Sequence, residues 1–80
     1  MARLRLFASA AEAAGTRQDE VDGSTVADVL RAADERYGTA YASIAARCRV
    51  WVNGEPAEPQ QSVGEGDEVA VLPPVSGGAR

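Results

Sequence analysis

The chain has 80 residues, a formal net charge of −4 and 45% hydrophobic residues, much of that share being alanine. This suits one small domain with a modest core and argues against an enzyme with a deep, buried active site. Every basic residue is an arginine and no continuous basic stripe forms, which disfavours nucleic-acid binding; an acidic body instead suits a partner with a basic surface, approached by electrostatic steering.

Cys48 stands alone and histidine is absent, so neither an intrachain disulfide nor a metal set is expected. Arg47 and Arg49 beside it would lower its thiol pKa. Its place in an alternating strand points the other way, to a buried, inert thiol. No apolar run near Met1 is long enough for a signal peptide or a membrane span, so a cytoplasmic location is expected. The chain also lacks lysine and cannot accept an isopeptide bond on its own side chains.

In chain order, Arg3-Leu4-Arg5-Leu6-Phe7-Ala8 alternates polar and apolar residues, the pattern of a half-buried strand. Residues 9–16 read as a loop or short helix ending at Gly15. Arg17 to Val21 reads as a short polar strand, with Asp22-Gly23 as a turn. Thr25 is a good N-cap, with Asp28 three residues on. Val26, Val29, Leu30, Ala33 and Tyr37 then share one helical face, and Gly38 ends the helix. Residues 39–46 look like a short helical connection anchored by Tyr41 and Ile44.

Arg47 to Val52 alternates again, with Cys48, Val50 and Val52 on one face and Arg49 and Trp51 on the other. Asn53-Gly54 is a tight-turn signal, and Glu55-Pro56 resumes briefly. Gly64-Glu65-Gly66-Asp67 turns into a last strand, Glu68 to Leu72. This order predicts an α+β fold: a mixed four- to five-stranded sheet curled over one main helix, with the last strand parallel to the first in the middle. That is the ubiquitin-like β-grasp arrangement. It predicts a domain over residues 1–72 and a projecting, flexible C-terminal tail over 73–80.

The tail is Pro73-Pro74-Val75-Ser76-Gly77-Gly78-Ala79-Arg80. Paired prolines stop strand pairing and stiffen the chain. Glycines without Cβ atoms suit passage through a narrow channel. With Val69 and Val71 directed inward, Ala70 and Leu72 face out, on the same side as Trp51. An outward Trp51–Leu72 patch beside the tail reads as a docking surface, the alternative being that Trp51 folds over a loop and is mostly covered.

The chain resembles the MoaD/ThiS family of ubiquitin-like sulfur carriers, and its MoaD branch most. The resemblance rests on Arg3-Leu4-Arg5-Leu6-Phe7-Ala8, Thr25-Val26-Ala27-Asp28-Val29-Leu30, Val50-Trp51-Val52-Asn53-Gly54-Glu55, Gly66-Asp67-Glu68-Val69-Ala70 and Pro73-Pro74-Val75-Ser76-Gly77-Gly78. It implies a carrier without catalytic groups or bound cofactor of its own. An E1-like adenylyltransferase of the MoeB/ThiF type would use ATP to adenylate the carboxylate of Gly78. A sulfur donor would then replace AMP, leaving a thiocarboxylate. A MoaE-like large subunit would receive the tail, and the sulfur would enter molybdopterin, so that the chain serves as a non-catalytic subunit of a synthase. Gly78 would carry the acyl group, Gly77 would keep the passage narrow, and Pro73, Pro74, Val75 and Ser76 would set reach and direction. Sulfur delivery to cysteine, thiamine or a secondary metabolite stays open, as does an interaction or modifier module without sulfur chemistry.

One departure stands out. Ala79-Arg80 follow Gly78, whose carboxyl group is therefore locked in a peptide bond. A precursor trimmed by a processing protease is the favoured explanation. An extension foreign to the working protein, or a relative that no longer carries sulfur, are the others.

Overall fold

The computed structural model describes residues 1–73. Strand β1 (Ala2–Leu6) buries Ala2, Leu4 and Leu6 and exposes Arg3 and Arg5, as its alternation predicts. It ends earlier than expected, because Ala8–Ala14 forms helix α1. Alanine is the strongest helix former, and it claims the end of the predicted strand. Ala8 takes a φ of 51° at this joint, a strained value for a residue with a Cβ. Gly15, at φ 80°, closes α1 with its N–H donating to the Ala11 carbonyl.

Strand β2 (Gln18–Val21) pairs antiparallel with β1, Ala2 opposite Val21 and Arg5 opposite Gln18. Helix α2 (Val26–Tyr37) starts as its caps dictate. The Thr25 hydroxyl oxygen accepts from the Asp28 N–H at 3.2 Å, and the Ser24 hydroxyl donates to the Asp28 carboxylate at 3.2 Å. Val26, Val29 and Ala33 are buried on its inner face, with Leu30 and Tyr37 half-buried beside them. Gly38, at φ 94°, breaks α2 from helix α3 (Thr39–Ala45). Tyr41 of α3 is fully buried and meets the Tyr37 ring edge-on at 5.1 Å between centroids. Burial pushes the Tyr41 phenol up to about 12.

Strand β3 (Arg49–Val52) turns through Asn53 and Gly54, both at positive φ, into the two-residue β4 (Glu55–Pro56). Two positive φ values in sequence are what a tight hairpin turn of this kind requires. Strand β5 (Glu68–Leu72) follows the Gly64–Asp67 turn, where the Asp67 carboxylate accepts from the Gly64 N–H at 2.9 Å and from the Asn53 side-chain amide at 3.0 Å. The Asn53 side-chain oxygen in turn accepts from the Glu68 N–H at 3.0 Å, so the hairpin turn and the start of β5 are tied together.

The sheet order is β2-β1-β5-β3-β4, with β5 parallel to β1 and antiparallel to β3. The architecture is α+β with five strands, and the last strand lies beside the first at the centre as the sequence order predicts. Three helices cover the inner face rather than one alone. Leu4, Leu6, Val21, Val52, Val69 and Val71 from the sheet meet Ala10, Val26, Val29, Ala33 and Tyr41 from the helices in one core.

The strand β2 at the sheet edge is clamped to α2 by Asp19. Its carboxylate accepts from the Tyr37 hydroxyl and from the Arg36 guanidinium at 2.7 Å. These bonds, the Tyr37 one first, hold the Asp19 carboxyl below its ordinary pKa of 3.8. A carboxyl lowered on folding stabilises the fold above its ordinary pKa, and that contribution is lost as pH falls through the lower folded value. Urea unfolding is therefore expected to show stability falling as pH drops below the ordinary carboxylate range. Asp19→Asn is expected to lower stability at neutral pH and to flatten that acid slope. An unchanged slope in the variant would place the acid sensitivity elsewhere.

Candidate partner-docking site

The outer face of the sheet is set by strand parity. Because side chains alternate, burying Leu4, Leu6, Val69, Val71 and Val52 turns Arg3, Arg5, Glu68, Ala70, Leu72, Arg49 and Trp51 outward. Pairing then brings residues far apart in sequence side by side. Trp51 lies opposite Ala70 on one side and Pro56 on the other, Arg49 lies opposite Leu72, and Arg5 lies beside Ala70.

Trp51 and Leu72 are thus diagonal neighbours across β3 and β5, not directly opposed. Trp51 keeps 37% of its surface exposed and Leu72 is half-buried. Phe7 joins the same region, also 37% exposed, with its N–H donating to the Val71 carbonyl at 3.2 Å. The Arg5 guanidinium sits over the Phe7 ring, 5.5 Å from its centroid. Phe7 is absent from the outward patch that the sequence predicts. The signal was present, since Arg3, Arg5 and Phe7 share one parity in the opening run.

This face lies where the chain leaves the sheet. Strand β5 is central, between β1 and β3, and runs out through Leu72 to Pro73. A shallow depression of about 230 Å³ at this point is lined by Ser9, Ile44, Arg47, Cys48 and Pro73. Of the expected tail residues, Pro73 is placed here. Pro74, Val75, Ser76, Gly77 and Gly78 lie outside the described residues.

Cys48 is not part of an alternating strand. The chain turns after α3, with the Arg47 and Cys48 N–H groups donating to the carbonyls of Ile44 and Ala45, and β3 begins only at Arg49. Helix-end hydrogen bonds outcompete strand pairing for these two residues. The Cys48 thiol is half-buried and donates to the Ile44 carbonyl at 3.3 Å. Burial raises its pKa, so the flanking arginines do not activate it.

Among the described residues no helix is long and apolar enough to cross a membrane. What the face offers is an apolar surface beside the exit of a central strand, suited to holding a second protein near the C-terminal segment.

No curated protein sequence matches the chain. Among solved structures, SAMP1 from Haloferax volcanii is 36% identical, with a TM-score of 0.73, over 95% of this chain and 97% of that one. The Amycolatopsis orientalis BexX/CysO complex contains a chain 21% identical, with a TM-score of 0.79, over 98% of this chain and all of that one (100%). The complex of subunits 1 and 2 of molybdopterin-converting factor from Helicobacter pylori 26695 contains one 19% identical, with a TM-score of 0.71, over 96% and 97%. The last two likenesses speak for the fold. The ThiS family model matches residues 4–78, from the first core leucine to the second glycine of the Gly-Gly pair, and with that span covered this chain belongs to the ThiS family.

Proposed function

We propose that this chain is a sulfur carrier charged at Gly78, which delivers its sulfur to a docked partner, with molybdopterin synthesis as the destination. The observation that carries the reading is the exit of central strand β5 beside the open face of Phe7, Trp51 and Leu72. A domain that docks through this face presents whatever follows Pro73 to the same partner. The Pro-Pro-Val-Ser-Gly-Gly segment supports the molybdopterin destination.

The chemistry starts with removal of Ala79-Arg80 by a protease, which frees the Gly78 carboxylate. An E1-like enzyme joins that carboxylate to the AMP part of ATP and releases pyrophosphate. The acyl carbon is then an electrophile with a good leaving group. Sulfide displaces AMP to leave the thiocarboxylate directly. A persulfide does so in two stages, a thiol then reducing the acyl disulfide. The thiocarboxylate sulfur is the nucleophile that a MoaE-like subunit would use on the pterin. The carrier contributes docking and presentation, and the ATP chemistry belongs to the activating enzyme.

A second reading has its own support. SAMP1, at 36% identity, is a small archaeal modifier protein by name. In that reading the same acyl adenylate is attacked by a lysine ε-amine of another protein, forming an isopeptide bond as AMP leaves. With no lysine in its sequence, this chain would add as single copies, because no attached copy offers a side-chain amine for the next.

Intact-mass analysis separates the readings. A chain ending at Gly78 is incubated with an E1-like enzyme, ATP and a sulfur donor. Exchange of one oxygen for sulfur is the expected result. No exchange, together with isopeptide attachment to an added acceptor protein, would replace the sulfur-carrier reading with the modifier one.

A further inference from the structure

The net charge of −4 is not spread evenly over the molecule. The helical side holds Asp22, Asp28, Asp34 and Glu35 against Arg31 and Arg36. The sheet face near Pro73 has the opposite balance. Arg5 and Arg49 flank Ala70 and Leu72 across the strands, and Arg47 lines the depression at Pro73. Glu68, the carboxylate of β5 on this face, is already engaged by Arg5 at 3.5 Å. Arg47 and Arg49 are exposed and form no ion pair among the described residues.

Local charge, not the total, governs a docked complex. Charges beyond about 8 Å are largely screened at physiological salt. A protein seated on Phe7, Trp51 and Leu72 therefore meets Arg5 and Arg49 on that face and Arg47 at the adjoining depression beside Pro73, with the acidic side of α2 turned away. We infer that the partner of this face presents an apolar pocket rimmed by carboxylates that pair with Arg47 and Arg49. This rests on the reading of the face as the docking surface, and it reverses the basic partner that net charge alone suggests. Rim arginines of this kind act mainly on encounter rate and on the choice of partner.

The test uses the purified E1-like enzyme of the same organism as probe, with ATP omitted, and follows association by stopped flow at several salt concentrations. The wild-type association rate is expected to fall as salt rises. Arg47→Glu with Arg49→Glu is expected to slow association about tenfold at low salt and to abolish the salt dependence. Arg31→Glu, on the exposed side of α2, makes the same kind of charge change away from the face and is expected to leave the rate near wild type. Circular dichroism confirms that the variants are folded. An unchanged rate in the double variant overturns the inference. So does an equal slowing by Arg31→Glu, a wild-type rate that rises with salt, or no association of the wild type. Because ATP and sulfur donor are absent, failure of sulfur transfer to Gly78 is read separately, in the mass experiment above.

Discussion

Trp51→Ala is expected to weaken binding to the E1-like enzyme by about 2 kcal/mol or more, roughly 30-fold in affinity. The same change is expected to lower folding stability by only about 1 kcal/mol, the scale of a cross-strand pair. The difference comes from where the side chain sits. Trp51 packs across Ala70 and Pro56 on the outer face, with 37% of its surface open, while the core lies on the other side of the sheet. In the proposed docking its free surface becomes buried against the partner, and large aromatic residues near the centre of a patch dominate binding. Equilibrium titration and urea unfolding on the same preparation would measure both quantities. Equal losses in binding and in folding would mean that Trp51 is a structural residue.

Gly23→Ala is expected to destabilise the fold by about 1–3 kcal/mol, the scale of core overpacking. The sequence marks Gly23 only as a turn residue after Asp22, and a compatible Gly→Ala change usually stabilises by about 0.4–1 kcal/mol. Here a Cβ would stand 2.8 Å from Val29 Cγ2, 2.8 Å from the Val29 backbone nitrogen and 3.0 Å from Asp28 Cβ. A rotamer change can move the methyl group, but not the backbone nitrogen of a helix whose first turn is held by Thr25 and Ser24. Gly64 is the control. A Cβ there meets nothing within 4 Å, so Gly64→Ala is expected to be neutral or slightly stabilising. Urea midpoints for the two variants decide the matter, and a Gly23→Ala chain as stable as the parent would refute the steric account.

Much of this molecule was legible from local signals. Thr25 and Gly38 bracket α2 because an N-cap and a glycine stop at positive φ act within a few residues. Asn53-Gly54 made its hairpin for the same reason, since both residues tolerate positive φ. Alternation assigned inner and outer faces to β1, β3 and β5, and so directed Trp51 and Leu72 outward together. Misreadings came where two local preferences competed. At Ala8 helix propensity displaced the strand, and at Cys48 the end of α3 did, taking the thiol out of the sheet.

The sequence by itself determined the order of elements, their caps and turns, and which side chains each strand turns inward. Those properties depend on backbone geometry over a few residues. Only the tertiary structure decided which outward residues became neighbours. Strand pairing joins Phe7, Trp51 and Leu72, which lie far apart along the chain, into one face, and it gathers Arg5 and Arg49 at that face within a chain of net negative charge. The reason for Gly23 lies in the backbone path from the turn into the first turn of α2, where a Cβ would meet Val29 and Asp28, a detail that a turn signal alone does not carry. Composition sums charge and volume over the whole chain, whereas docking and packing respond to what lies within a few ångströms.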